Sequence, residues 1–396
     1  MATKSPPPPP TTYNPIPINS PEPGLKVAAS VPGEPQINQL FRTVMMHKGS
    51  DLHLKAGLPG MMRLRGVIQK MNTPVIEQDT MEKLIFPIMK DKDKKVLEDT
   101  GGADFAHVIG KDEARYRVNV LKQRGRLALV ARLVNSTIPT FEKLGLPPTI
   151  EKLCHFEQGM VLLAGITGSG KSTTIASMLD YMNAREALHI LTIEDPIEFV
   201  FTDKMSVVNQ REVYLDVCDW HTALKHAVRE DPDVILVGEM RDADTFEAAV
   251  HAAETGHVVF GTIHASNAYS TVDRILGLFP PNQHGAVRQS LGFNLRAVVA
   301  QKLIPSIKPG VQRVPTNEIM IINPTIKDLI LKAQDTKMLD AIRAFYNEGM
   351  MDFNKNLEDL CLRGDIDKAT ALEFSPNAEQ LRMALKGIKV AASGLV

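Results

Sequence analysis

Eight residues, Gly165-Ile166-Thr167-Gly168-Ser169-Gly170-Lys171-Ser172, satisfy the spacing G-x-x-x-x-G-K-[ST] and constrain the chain more than any other segment. The apolar run Val161-Leu162-Leu163-Ala164 precedes them and helical spacing follows, so the loop joins a strand to a helix. A strand feeding a helix in this way belongs in an α/β layer. Glycines let consecutive backbone N–H groups turn inward around a phosphate, and the helix N-terminus adds favourable potential. Lys171 can then reach the β- and γ-phosphate oxygens, and the Ser172 hydroxyl suits Mg²⁺. The residues expected to hold ATP are therefore Gly165, Thr167, Gly168, Ser169, Gly170, Lys171, Ser172 and Thr173. A glycine-rich strand-to-helix turn with no ligand is the plain alternative, and the match in both pattern and setting weighs against it.

Three further apolar runs, Ile190–Ile193, Val234–Val237 and Val258–Phe260, alternate with helical stretches, which predicts a buried, largely parallel sheet flanked by helices. Such sheets place ligands at their strand ends, and acids occur there. In Thr192-Ile193-Glu194-Asp195-Pro196-Ile197-Glu198 a regular strand would turn Glu194 and Asp195 to opposite sides. Pro196 breaks the strand, so one or more of these carboxylates can face the phosphates; solvated surface acids are the alternative. Gly238 stands where many P-loop enzymes carry a metal-holding Asp, which leaves the metal shell to Ser172, phosphate oxygens, water and an acid acting through water. Glu239 and Glu198 are rival candidates for activating the attacking water, and an ion pair from Glu239 to Arg241 is the structural reading of the former. His257 and His264 flank the last strand at a separation that argues against a shared metal; His264 is the candidate for contacting the γ-phosphate. Arginine fingers are sought among Arg115, Arg117, Arg124, Arg126, Arg132, Arg229, Arg241 and Arg274.

A chain of 396 residues exceeds one ordinary core. Residues 1–35, with five consecutive prolines from Pro6, are expected to form a disordered tail, with a polyproline ligand as the alternative. Residues 36–134 read as a small mixed domain: a helix over Ile37–Met45, strands at Asp51–Leu54, Arg63–Val67, Arg115–Val120 and Leu127–Val134, and helix near Met81–Met89. Residues 135–148 read as a connector, 149–323 as the ATPase domain and 324–396 as a helical subdomain. With 45 basic and 46 acidic residues the chain has no global attraction for nucleic acid or anionic lipid. Three scattered cysteines build neither a disulfide framework nor a zinc ribbon and fit a reducing cytoplasm. No apolar run approaches the roughly 20 residues a membrane span needs, so the chain is expected to be neither exported nor membrane-spanning by itself.

Together with Ser50-Asp51-Leu52-His53-Leu54, Asn209-Gln210-Arg211-Glu212-Val213 and the runs Arg229–Asp242 and Ala253–His264, these motifs resemble the twitching-motility retraction ATPases, the PilT/PilU family of secretion ATPases. The likeness covers about Gln36 to Lys386. It implies a PAS-like α+β N-terminal domain joined to a RecA-like P-loop core. It also implies a homo-hexameric ring that hydrolyses ATP with Mg²⁺ and retracts type IV pili through an inner-membrane platform protein. Such a ring would be cytoplasmic, peripheral to the inner membrane through that partner and without direct nucleic-acid contact. The family pattern makes Glu239 the Walker B acid, at the metal, and Glu198 the water-activating base. It brings Arg117, Arg132 and Arg274 toward nucleotide at domain or subunit contacts. Thr325–Lys332 departs from the helix motif of retraction motors, and Asn294–Gln301 and Ser375-Pro376-Asn377 look closer to the accessory PilU type. An accessory ATPase or nucleotide-binding scaffold assisting a paralogous motor is thus the alternative. Pilus-assembly and type II secretion relatives usually carry a four-cysteine zinc module that this chain cannot build.

Overall fold

The computed structural model describes residues 24–388 except Asp112. The chain forms two compact units, Met1–Leu133 and Val134–Val396. The expected tail lies outside the described residues as far as Pro23, but its proposed end at residue 35 needs correction. The Leu25 N–H donates to Lys70 O (3.2 Å) and Leu25 O accepts from Asn72 N–H (2.9 Å). Arg42 grips both carboxylate oxygens of Glu34 at 2.7 and 3.0 Å, and Leu25 and Val27 pack on the core. The chain is therefore tied down from Gly24 onward.

In the first unit α1 (Asn38–Met46), α2 (Gln78–Ile85) and α3 (Asp91–Thr100) share a core with a six-stranded antiparallel sheet. Its strands are β1 (Asp51–Lys55), β2 (Met61–Leu64), β3 (Val67–Lys70), β4 (Gly102–Ile109), β5 (Ala114–Gln123) and β6 (Arg126–Leu133), in the order β3-β2-β1-β6-β5-β4. Period-two alternation sends Leu52, Leu54, Val118, Val120, Leu129 and Ala131 inward to meet Phe41, Met81 and Ile85. The buried Tyr116 donates its hydroxyl to Phe41 O at 2.8 Å, which satisfies the one polar atom its ring brings into the core. The expected single strand over Arg63–Val67 is instead a hairpin: Arg65 (φ 50°) and Gly66 (φ 85°) form a two-residue turn between β2 and β3. Two successive left-handed residues match the twist of paired strands, and a Gly in second place permits it.

Residues 135–148, read as a connector, fall at the start of the second unit. They contain α4 (Phe141–Leu144), capped by Thr140, and bury Phe141 and Leu146 in the core. After α5 (Thr149–Leu153) come β7 (Gly159–Ala164), α6 (Lys171–Asn183), β8 (His189–Glu194), β9 (Val207–Glu212), α7 (Trp220–Ala227), β10 (Val234–Val237), α8 (Ala243–Glu254) and β11 (Val258–Ile263). Then follow α9 (Ser270–Leu276), α10 (His284–Asn294), β12 (Leu295–Pro305) and β13 (Arg313–Ile321). The sheet order is β13-β12-β7-β11-β10-β8-β9; β13 alone runs antiparallel. Its central strands are apolar and covered on both faces, as a parallel sheet requires. Sequence periodicity did not resolve β9, β12 or β13. The remaining helices, α11 (Pro324–Leu331), α12 (Met338–Ala344), α13 (Phe353–Leu362), α14 (Lys368–Phe374) and α15 (Ala378–Ala384), belong to this same unit. Ile304 and Val314 of the β12–β13 ribbon share a core with Leu357, Leu360, Ala371 and Leu381 of these helices.

Candidate functional site

β7 hands the chain to the loop Gly165–Gly170, and α6 starts at Lys171. A Cβ on Gly165 would lie 2.6 Å from Gln301 O, and one on Gly170 (φ 85°) would lie 2.8 Å from Gln301 Nε2. Both positions therefore exclude side chains, and the loop backbone can close into a cradle. The buried Lys171 ammonium donates to Gly165 O at 2.8 Å and Ile166 O at 3.1 Å, which folds the side chain back over the cradle. Burial pulls its pKa down, while Glu239 and Glu198 act against that fall. Ser169 Oγ is buried without a hydrogen-bond partner among the described residues.

The ends of β8, β10 and β11 lie side by side with that of β7, and their following residues complete a cleft. Thr167, Gly168, Lys171 and Ser172 line it from the loop; Glu194, Asp195 and Glu198 from the end of β8; Glu239 and Arg241 after β10; His264 after β11. Both Glu239 oxygens are engaged: Oε2 accepts from Arg241 at 2.7 Å and Oε1 lies 3.0 Å from His264 Nε2. The Arg241 hydrogen bond holds Glu239 below the usual carboxylate range despite its burial. His264 thus reaches an acid of the cleft, whereas His257 bonds Ala252 O at 2.8 Å. Glu194 is the buried member of its segment: Thr192 Oγ1 donates to it at 2.7 Å, Gln210 Nε2 at 3.2 Å and the Glu198 N–H at 3.4 Å. Burial pushes its pKa up to about 7. Gly238 leaves a side chain only tight space, since a Cβ would lie 3.2 Å from Ile193 O and 3.4 Å from the Trp220 ring.

The remaining expected residues lie elsewhere. Thr173 faces a second cavity with Gly170, Thr174, Lys143, Leu303 and Arg313. Arg274 lies exposed on α9 and is not among the residues lining the cleft. In the first unit Arg117 and Arg132 stand directly opposite each other on β5 and β6, and Arg132 donates to the buried Asp51 at 2.8 Å. That carboxylate offsets the repulsion of like charges across a strand pair. Gln301 was missed. The protein donors around the loop are oxygens, the Ser172 hydroxyl with the Glu239 and Glu198 carboxylates, and this hard set fits Mg²⁺ completed by phosphate oxygens and water.

Residues 27–349 match the model of the family described as Type II/IV secretion system protein. The chain belongs to this family. As a Type II/IV secretion system protein it is 43% identical over 337 residues to the type IV pilus retraction ATPase PilT of Pseudomonas aeruginosa, covering 85% of this chain and 97% of that one. It is 35% identical over 352 residues to the type IV pilus ATPase PilU of the same organism, covering 89% and 91%. Its structure resembles the crystal structure of the pilus retraction motor PilT with bound ADP, with a TM-score of 0.78 at 42% identity over 88% of this chain and 99% of that one. The ATPase DotB of Legionella pneumophila, at 24% identity and a TM-score of 0.73, shares the fold. The expected likeness to the PilT/PilU branch and the RecA-like core both hold.

Proposed function

We propose that this chain hydrolyses ATP and powers type IV pilus retraction. The observation that carries the reading is one cleft that joins the Lys171 cradle, the Ser172 hydroxyl and the carboxylates of Glu198 and Glu239. Triphosphate replaces the Gly165 and Ile166 carbonyls on Lys171, and the nucleoside extends into the neighbouring cavity past Thr173. Ser172, with Glu239 behind it, would hold magnesium, which would supply positive charge against the phosphates. Glu239 already accepts from Arg241 and His264, so it is a poor proton acceptor and instead orients those groups toward the phosphates. Glu198 makes no hydrogen bond through its side chain among the described residues and takes the role of base. Water attacks the γ-phosphorus, its proton passes to Glu198, and the bond to the bridging oxygen breaks to leave ADP and phosphate.

The ring is a homo-hexamer at the inner-membrane face of the pilus machine, loaded through a platform protein and able to work beside a paralogous ATPase. Arg274, absent from the cleft of its own chain, serves nucleotide held by a neighbour; Arg117 and Arg132 supply cationic charge from the first unit. No helix among the described residues is long and apolar enough to cross a membrane. Purified protein should turn over ATP with Mg²⁺, and Lys171→Ala and Glu239→Gln should each lose at least about 100-fold. Unchanged turnover in both variants would refute the site. In cells, a deletion should leave excess fibres and no twitching, whereas bare cells would indicate assembly instead.

A further inference from the structure

β12 runs parallel to β7, with Ala300 opposite Ala164, and continues after β7 has ended. The next residue, Gln301, therefore has β13 on one side, paired with Asn317, and the phosphate loop rather than β7 on the other. Its side chain is 2% exposed in an otherwise largely apolar strand. Nε2 donates to Ser169 O at 2.8 Å, and Oε1 accepts from Thr174 Oγ1 at 2.9 Å in the first turn of α6. The amide thus ties the Ser169 carbonyl of the loop to the helix that the loop feeds.

The Ser169 carbonyl and the Gly170 N–H belong to one planar peptide and point in opposite directions. A donor that grips the carbonyl from the sheet side consequently turns the N–H toward the cradle. Gly170 is left-handed, at φ 85°, and glycine resists that peptide's rotation less than any other residue would. We infer that Gln301 is a positioning residue that preorganises the anion cradle by holding the Ser169–Gly170 peptide with its N–H aimed at the phosphates. It acts through the loop and does not touch the reacting atoms. A cradle fixed before binding spares the ordering cost that a loose loop would meet on every encounter with nucleotide.

This inference rests on the ATP-site reading above, and the test separates the two. Gln301→Met keeps the volume and the apolar stem while removing donor and acceptor; Gln301→Asn, too short to span both partners, serves if the Met variant does not fold. Binding of MgADP and of inorganic tripolyphosphate is measured by calorimetry beside Lys171→Ala, and steady-state kinetics give KM and kcat separately. Loss of one buried hydrogen bond predicts that Gln301→Met weakens both ligands by about tenfold and raises KM by a similar factor, with kcat within about twofold. Thr174→Val, which keeps the Ser169 contact, should stay within about threefold of wild type. Wild-type affinity for both ligands in the Gln301 variant, with Lys171→Ala defective, would overturn the inference alone. Weakening confined to MgADP would also overturn it, because the residue would then act on the nucleoside. Wild-type binding in Lys171→Ala would overturn the ATP-site reading itself.

Discussion

Glu194 keeps its proton where an exposed glutamate would have lost it, because burial raises its pKa from 4.5 to about 7. Between these values the unfolded chain has released the proton and the folded chain has not. The folded state therefore binds more protons, and stability falls as pH rises through about 7. A shift of this size amounts to roughly 3 kcal/mol, fully retained only below about pH 4.5. Thermal midpoints taken from pH 5 to 8 should drop in the wild type relative to Glu194→Gln; parallel profiles would mean that the carboxyl ionises freely. Glu318, also buried and raised to about 7, contributes in the same direction in both proteins, so the comparison isolates Glu194. The division of labour between the two other acids is open to kinetics. Glu198→Gln should lower kcat by about 10² to 10⁴ while leaving MgADP affinity within a few-fold, as loss of a base does. An unaltered kcat would return that role to Glu239.

At the level of elements, what could be read in advance was whatever depends on near neighbours in sequence. The phosphate loop needs glycines and a lysine at fixed spacing, and the short strands β8, β10 and β11 are built around the mainly apolar runs Ile190–Ile193, Val234–Val237 and Val258–Phe260. The β2–β3 hairpin was missed because Arg65-Gly66 lacks the Asn or Asp that usually announces such a turn. Arg65→Asn, better suited to φ 50°, should stabilise the first unit by about 0.5 kcal/mol, seen as a higher urea midpoint; a lower midpoint would argue against the turn. β12 and β13 were not legible because runs such as Val298-Val299-Ala300 suit a buried helix or a buried strand equally well. Gln301 escaped for a stronger reason: its partner Ser169 is 132 residues away, and only the pairing of β12 with β7 makes them neighbours. Residues 135–148 were read as a connector from their prolines, and Phe141 and Leu146 find a core that no local pattern could reveal.

For the whole molecule, the proposed ring makes turnover a collective property. If Arg274 serves a neighbour's nucleotide, mixing Lys171→Ala subunits with Arg274→Ala subunits should recover activity that neither variant shows alone, because some interfaces then combine an intact cleft with an intact arginine. No recovery over a range of mixing ratios would confine each site to its own chain. Specific activity should likewise climb with protein concentration as rings assemble, with light scattering following the same curve. The parallel pairing of β12 against β7 also has a consequence in time. The cradle at Gly165–Gly170 leaves the ribosome well before Gln301, and synthesis of the intervening chain lasts on the order of ten seconds. Throughout that interval the nascent polypeptide carries a nucleotide motif without the strand that braces it, so under the proposed role of Gln301 a growing chain would hold nucleotide more weakly than the finished one.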